Sequence, residues 1–203
     1  MLYEKEISFR FKGNRTYVHG TDIFDKILDT SRTFFKEYPT WIKGSFHRLL
    51  TNDAIFQIYN DSDTINNENF YARFSIKIKD NSYQFLINSA KFLICSSYEY
   101  NEEMVLDKMV IEGKKARMTA KSSYTYIEQL VSMTKKLHLI IYPNTTPKWL
   151  FTKIEIRDVL DPALYPKHEL AIVAQKNFHN KLTQNAILYD GIYLGNIWFS
   201  KAE

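Results

Sequence analysis

The chain has 203 residues, of which 45% are hydrophobic and 25% are charged, a composition that predicts a globular protein with a packed core. Its net charge of +4 is far below the dense basic surface of a typical nucleic-acid-binding domain. A single cysteine, Cys95, excludes an intrachain disulfide, and the apolar residues before it predict a buried thiol.

The N-terminus, residues 1–6, lacks the apolar core of a signal peptide. The apolar stretches elsewhere are much shorter than the roughly 20 residues that a transmembrane helix needs. From these two observations we expect a cytoplasmic protein without a membrane span.

The first predicted elements are a β-hairpin and a long helix. Residues 9–20 form two β-like runs around Gly13, which supplies the positive φ of a tight turn. Thr21 is the expected N-cap of the helix, and Asp22 lies in its first turn, where a carboxylate suits the helix dipole. Helical spacing of apolar residues continues as far as Pro39.

Antiparallel strands are predicted after the helix. Residues 70–78 alternate apolar and polar, and a turn at residues 80–82 leads into a second run at residues 83–87. A polar loop occupies residues 60–69. We place the end of this first unit near residue 100.

The second half of the chain repeats the first. Residues 9–20 align with residues 109–120 at an offset of 100, and Gly13 falls on Gly113. After the helix, residues 43–49 align with residues 148–154 at an offset of 105. The sequence therefore predicts two diverged copies of one unit, residues 1–100 and 101–203.

The second copy contains the same predicted elements as the first. Ser122 or Ser123 is the expected N-cap of a helix that ends before Pro143. Strands are then predicted at residues 169–178 and 187–199. The fold class is accordingly α+β, with tandem units of strand, hairpin, long helix and antiparallel strands.

This order of elements resembles the hot-dog superfamily, and its duplication resembles a double hot-dog protein. The resemblance covers nearly the whole chain and rests on element order and duplication. It implies a protein that handles acyl thioesters, as the dehydratases, thioesterases and A-factor-synthesis proteins of the superfamily do. Its ligand would be acyl-CoA or an acyl carrier protein, and the chain would be a monomeric pseudo-dimer or a homodimer.

The resemblance also implies a site near the start of one central helix, at the junction of the two units. His19 and Asp22 lie at that place, and an imidazole beside a carboxylate suits general acid–base catalysis. The facing helix would contribute Tyr126 and Glu128. We therefore name His19, Asp22 and Glu128 as candidate catalytic residues and Tyr126 as a candidate substrate contact.

The catalytic motifs of the superfamily are only partly present. The dehydratases' proline-rich histidine loop is absent, and so is the thioesterases' Asp followed by Gly-His at the start of the helix. The second copy has Thr119 where the first has His19. The sequence thus leaves open whether the chain is an enzyme or a non-catalytic interaction module on the same scaffold.

Both predicted hairpins are basic, which indicates a second kind of ligand contact. Arg15 and Lys115 are candidate substrate contacts that would meet a phosphate, such as those of coenzyme A or the pantetheine arm. Tyr17, two residues after Arg15, is a further candidate substrate contact. Contact with a nucleic-acid backbone would use the same charges, although the small net charge makes it the weaker alternative.

No cofactor or metal ion is predicted. His47, His138, His168 and His179 show no metal-ligand spacing with one another or with acidic residues. The chain also lacks the glycine-rich loops that bind nucleotides.

Overall fold

The computed structural model describes residues 1–65, 69–118, 123–143, 148–158 and 169–201. The chain separates into two compact units, Met1–Tyr100 and Asn101–Glu203. Each unit contains one 16-residue helix and an antiparallel sheet.

The described residues of the first unit form one helix and seven strands. In chain order these are β1 (Tyr3–Ile7), β2 (Phe11–Lys12), α1 (Gly20–Phe35), β3 (Trp41–Phe46), β4 (Asn52–Asn60), β5 (Ala72–Ile78), β6 (Asn81–Leu93) and β7 (Ser97–Tyr98). Its antiparallel sheet has the order β1-β4-β6-β5-β3. The two short strands β2 and β7 pair with each other in parallel.

An apolar stripe on α1 packs against this sheet. Its buried positions include Ile23, Phe24 and Ile27, which recur at the i, i+1, i+4 spacing of one helix face. The ring of Phe24 lies 6.3 Å from that of Phe74 on β5, in an edge-to-face arrangement. The helix ends at Phe35 because Lys36 adopts the left-handed conformation that commonly terminates helices.

Two helices and six strands lie in the described part of the second unit. They are α2 (Glu102–Val105), β8 (Met109–Glu112), β9 (Lys115–Met118), α3 (Tyr126–Ile141), β10 (Trp149–Arg157), β11 (Leu170–Phe178), β12 (Leu182–Tyr189) and β13 (Ile192–Lys201). The sheet order is β10-β13-β12-β11-β9-β8.

The two sheets differ in the placement of their last two strands. In the second unit β11 pairs with β12, the next strand along the chain. In the first unit β4 pairs instead with β6, and β5 lies beyond it, next to β3. The chain from β4 to β5 therefore passes the position of β6, which the longer connection after Asn60 permits.

Several local predictions need correction. The hairpin predicted at residues 9–20 does not form, because β2 pairs with β7 and the residues after Gly13 run directly into α1. The N-cap of α1 is His19, two residues before the predicted cap Thr21. Cys95 is exposed, since it follows the end of β6 and lies outside the sheet.

In the second unit, the predicted turn is confirmed and the predicted helix cap needs correction. Gly113 has a φ of 58° in the tight turn that joins β8 to β9. The helix that follows is capped by Thr125, so Ser123 is not the cap, and Ser122 lies outside the described residues. Within the described part of the chain, no helix is long and apolar enough to cross a membrane.

Candidate functional site

A buried ion pair lies beside the N-terminus of α1. The side chain of Lys12 is completely buried, and its Nζ is 2.5 Å from Oδ1 of Asp22, whose side chain is 14% exposed. The ammonium also donates a hydrogen bond to Oγ1 of Thr21 at 2.8 Å. A buried lysine is rarely tolerated without such partners, because desolvating its charge costs several kcal/mol.

The imidazole of His19 is connected to this ion pair through Thr21. Its Nδ1 is 2.7 Å from Oγ1 of Thr21, and the histidine is only 6% exposed. Lys12 can only donate, so Thr21 Oγ1 accepts from it and has one proton of its own to direct. That proton can go to His19 Nδ1 or to Oδ1 of Asp22, which is 3.3 Å away.

This arrangement can hold the imidazole in one neutral tautomer. When Nδ1 of His19 carries a proton, it donates to Thr21, and Thr21 turns its hydroxyl towards the carboxylate of Asp22. The other ring nitrogen, Nε2, then has the lone pair that a general base needs.

Local backbone geometry holds these groups at the helix end. His19 has the extended φ and ψ of an N-cap residue, and its carbonyl accepts from the amide of Asp22 at 2.9 Å. Asp22 in the first turn also faces the positive end of the helix dipole. Lys12 belongs to the short strand β2, and its side chain reaches Asp22 in the first turn of α1.

Tyrosine rings enclose the cation. The hydroxyl of Tyr98 donates to both carboxylate oxygens of Asp22 at 3.2 Å. Lys12 Nζ is 4.7 Å from the ring centroid of Tyr100, and the guanidinium of Arg15 is 5.5 Å from the same centroid. Arg15 therefore lies close to the network, and Tyr17, two residues later in the chain, is half-buried.

The candidate residues of the second unit have structural roles of their own. The carboxylate of Glu128 accepts a hydrogen bond from the amide of Thr125 at 2.8 Å, and the two residues complete a capping box at the start of α3. Tyr126 is the first residue of that helix and is 4% exposed.

Two basic residues of the second hairpin are paired with carboxylates. Lys115 Nζ is 3.0 Å from Oε1 of Glu169, and Arg117 contacts both Glu169 and Glu112. The hydrogen bond from Lys115 is the main cause that lowers the pKa of Glu169. This neutralisation weakens the case for Lys115 as a phosphate contact.

Sequence reasoning missed three members of the network around His19. Lys12 lies in a basic stretch that indicates solvent exposure, Thr21 matches an N-cap pattern, and Tyr98 belongs to no motif. Tyr98 and Asp22 are 76 residues apart, so only the pairing of β2 with β7 brings them together. The strand that contains Phe11 and Lys12 has only two residues. It is too short for an alternating pattern to show which side chain faces the interior.

A further buried polar group lies inside the second unit. His138 of α3 is fully buried, and its Nε2 lies 3.1 Å from Oδ1 of Asn185 on β12. Burial lowers the pKa of His138 to about 4, and the hydrogen bond that Nε2 donates to Asn185 offsets this only partly. The ring therefore stays neutral near pH 7. Among the described residues, no cluster of three His, Cys, Asp or Glu could hold a metal ion.

Similarity to solved structures shows which fold this chain has. A protein of unknown function with a hot-dog fold from Alicyclobacillus acidocaldarius matches at a TM-score of 0.51 and 8% identity, over 98% of this chain and 93% of the other. This chain has a hot-dog fold. The predicted fold class, α+β with tandem hot-dog-like units, is confirmed.

Two further solved structures are similar over almost the whole chain. A candidate thioesterase from Novosphingobium aromaticivorans matches with a TM-score of 0.52 at 9% identity, over 99% of this chain and 95% of that one. A monomeric dehydratase domain from a trans AT polyketide synthase split module matches with a TM-score of 0.51 at 9% identity, over 98% and 96%. No protein-family model and no curated protein sequence matches the chain.

Proposed function

We propose that this protein binds an acyl thioester, carried by coenzyme A or an acyl carrier protein, beside the N-terminus of α1. The observation that supports the proposal most directly is the network of His19, Thr21, Lys12 and Asp22. It holds an imidazole in a defined orientation at the helix end where hot-dog proteins have their sites. The hot-dog relatives include a candidate thioesterase and a dehydratase domain, which favours the same class of ligand.

In this proposal His19 is the acid–base residue and Thr21 is a positioning residue. The neutral imidazole takes a proton from the substrate or from an attacking water and returns it to the product, as dehydration and thioester hydrolysis both require. Thr21 selects the tautomer, and the ion pair of Lys12 with Asp22 keeps Thr21 in place. Arg15 is positioned to meet an anionic part of the ligand.

A non-catalytic interaction module is the second candidate function. The observation that favours it is the 6% exposure of His19, which leaves little of the imidazole open to a substrate. In that case the network would serve only to stabilise the end of the helix.

The test starts with native mass spectrometry and calorimetric titration of the purified chain with acyl-CoA and acyl-loaded carrier protein. Turnover is then followed by release of the free thiol and by the change in ultraviolet absorbance when an enoyl thioester forms. We expect His19→Gln to lower kcat by about 10² to 10⁴-fold, the usual contribution of a general acid–base residue. Thr21→Val should lower kcat and shift the pH profile, which a purely structural residue would not do.

His179→Asn is the matched control, because His179 lies in the exposed turn between β11 and β12. It should leave binding and turnover unchanged. Binding without turnover, equal in wild type and His19→Gln, would support the interaction module. Absence of binding to both thioesters would refute the proposal.

A further inference from the structure

A separate polar cluster lies on the outer face of the first unit's sheet, at the end of β3. Ser45 pairs directly with Arg73 of β5 in the strand register, so their side chains are neighbours on one face. His47 follows two residues later, and its Nε2 is 2.9 Å from Oγ of Ser45. Arg73 and His47 are exposed, while Ser45 is half-buried.

The backbone brings Arg48 into the same cluster. The amides of His47 and Arg48 both donate to the carbonyl of Tyr71, at 2.8 and 3.3 Å. Two successive residues thus oppose one, as in a β-bulge, which re-aims a side chain at the end of a strand. Partial burial, followed by the charges of Arg73 and Arg48, lowers the pKa of His47.

Both guanidinium groups are held by neutral amides. Nε of Arg73 donates to Oε1 of Gln84 at 3.1 Å, and Nη2 of Arg48 donates to the side-chain oxygen of Asn69. The carboxylate of Asp61, at the end of β4, accepts from Gln84 and not from either arginine. In the part of the chain that the structure describes, neither arginine forms an ion pair. Among the described residues, the two cations are therefore oriented by amides and have no carboxylate partner.

We propose that Ser45, His47, Arg48 and Arg73 form a binding site for a phosphate monoester. Guanidinium forks match the oxygen geometry of a phosphate, and two positive charges match its dianion. When the phosphate binds, the imidazole of His47 takes up a proton and donates to the ligand, and Ser45 turns its hydroxyl from the ring to a phosphate oxygen. This site goes beyond the thioester proposal and does not depend on it.

Calorimetry with phenyl phosphate tests the site, because this probe offers little besides the phosphate group. Phenyl sulfate, which carries one negative charge less, is the ligand control and should bind at least tenfold more weakly. Arg73→Gln and Arg48→Gln should each weaken phenyl phosphate binding at least tenfold. Arg157→Gln removes the same charge from the exposed end of β10 and should change the affinity less than twofold.

Proton uptake gives a readout that a merely structural role would not change. The binding enthalpy measured in buffers of different ionisation enthalpy at pH 7.5 should reveal uptake of up to one proton, and His47→Gln should abolish most of it. The charged groups near His47 in the described residues are Arg48, Arg73 and, beyond Gln84, Asp61.

Three results would overturn the proposal. The first is equal affinity for phenyl phosphate and phenyl sulfate, and the second is an equal loss of affinity in Arg157→Gln. The third is an oligonucleotide that binds more than tenfold tighter than phenyl phosphate through the same arginines, since the ligand would then be a nucleic-acid backbone. Because Arg48 and Arg73 are exposed, their variants should fold, which far-ultraviolet circular dichroism checks.

Discussion

Breaking the ion pair between Lys12 and Asp22 should destabilise the protein in an asymmetric way. Lys12→Met removes the buried cation and leaves the carboxylate of Asp22 without its partner. Asp22→Asn instead leaves an ammonium with no carboxylate in a fully buried position. Removing one member of a buried pair typically costs 3–5 kcal/mol of unfolding free energy.

The surroundings of each charge decide where in that range its variant falls. Asp22 keeps 14% exposure and a bifurcated hydrogen bond from the hydroxyl of Tyr98, so Lys12→Met should cost about 3 kcal/mol. Lys12 has 0% exposure, so Asp22→Asn leaves its charge without a carboxylate out of contact with water and should cost about 5 kcal/mol. The double variant should recover at least 2 kcal/mol relative to the sum of the two losses.

Urea unfolding followed by far-ultraviolet circular dichroism measures these differences, with the transition slope checked for each variant. Lys26→Met is the matched control, because Lys26 and Asp29 form an exposed pair at 3.8 Å on the same helix. Its cost should stay below about 0.5 kcal/mol. Losses in the double variant that add to within about 0.5 kcal/mol would show that Lys12 and Asp22 are not coupled, which would refute the reasoning.

Two other predictions concern stability. The pKa of His138 is about 4 in the folded chain and near 6.5 when unfolded, so the unfolded state binds the proton first as pH falls. The contribution of His138 to the free energy of unfolding should be complete above pH 6.5 and fall by roughly 3 kcal/mol towards pH 4. In urea titrations, His138→Gln should reduce this dependence on pH, and the control His179→Asn should not. Gly44→Ala would place its Cβ 2.0 Å from the buried ring of Phe74, so thermal unfolding should show a loss of about 3 kcal/mol, against under about 0.5 for the exposed neighbour Lys43→Ala.

The helices and most strands were predictable from the sequence, because their signals are local. Apolar residues such as Ile23 and Ile27 recur at helical spacing, and that spacing alone places them on one face. Alternation of polar and apolar residues similarly located β5 at Ala72–Ile78. Gly113 identified its turn because few other residues adopt a positive φ so readily.

The candidate site was predictable only in part. His19 and Asp22 are close in sequence, and a helix start brings them together without help from the rest of the chain. Ser45 and His47 could also have been paired, since alternate residues of a strand share a face. Glu128 was expected near a substrate, and its actual partner, the amide of Thr125, is one that a capping-box pattern would have indicated.

The sequence by itself determined the fold class, the two central helices and the residues at the start of α1. Only the tertiary structure decided that β2 pairs with β7, that Lys12 is buried against Asp22, and that β6 rather than β5 lies beside β4. The spacing of apolar residues along the chain indicates which side chains share one face of a helix or strand. Strand pairing between distant segments depends instead on how all the apolar faces are buried together, and a two-residue strand carries too little pattern to specify its partner.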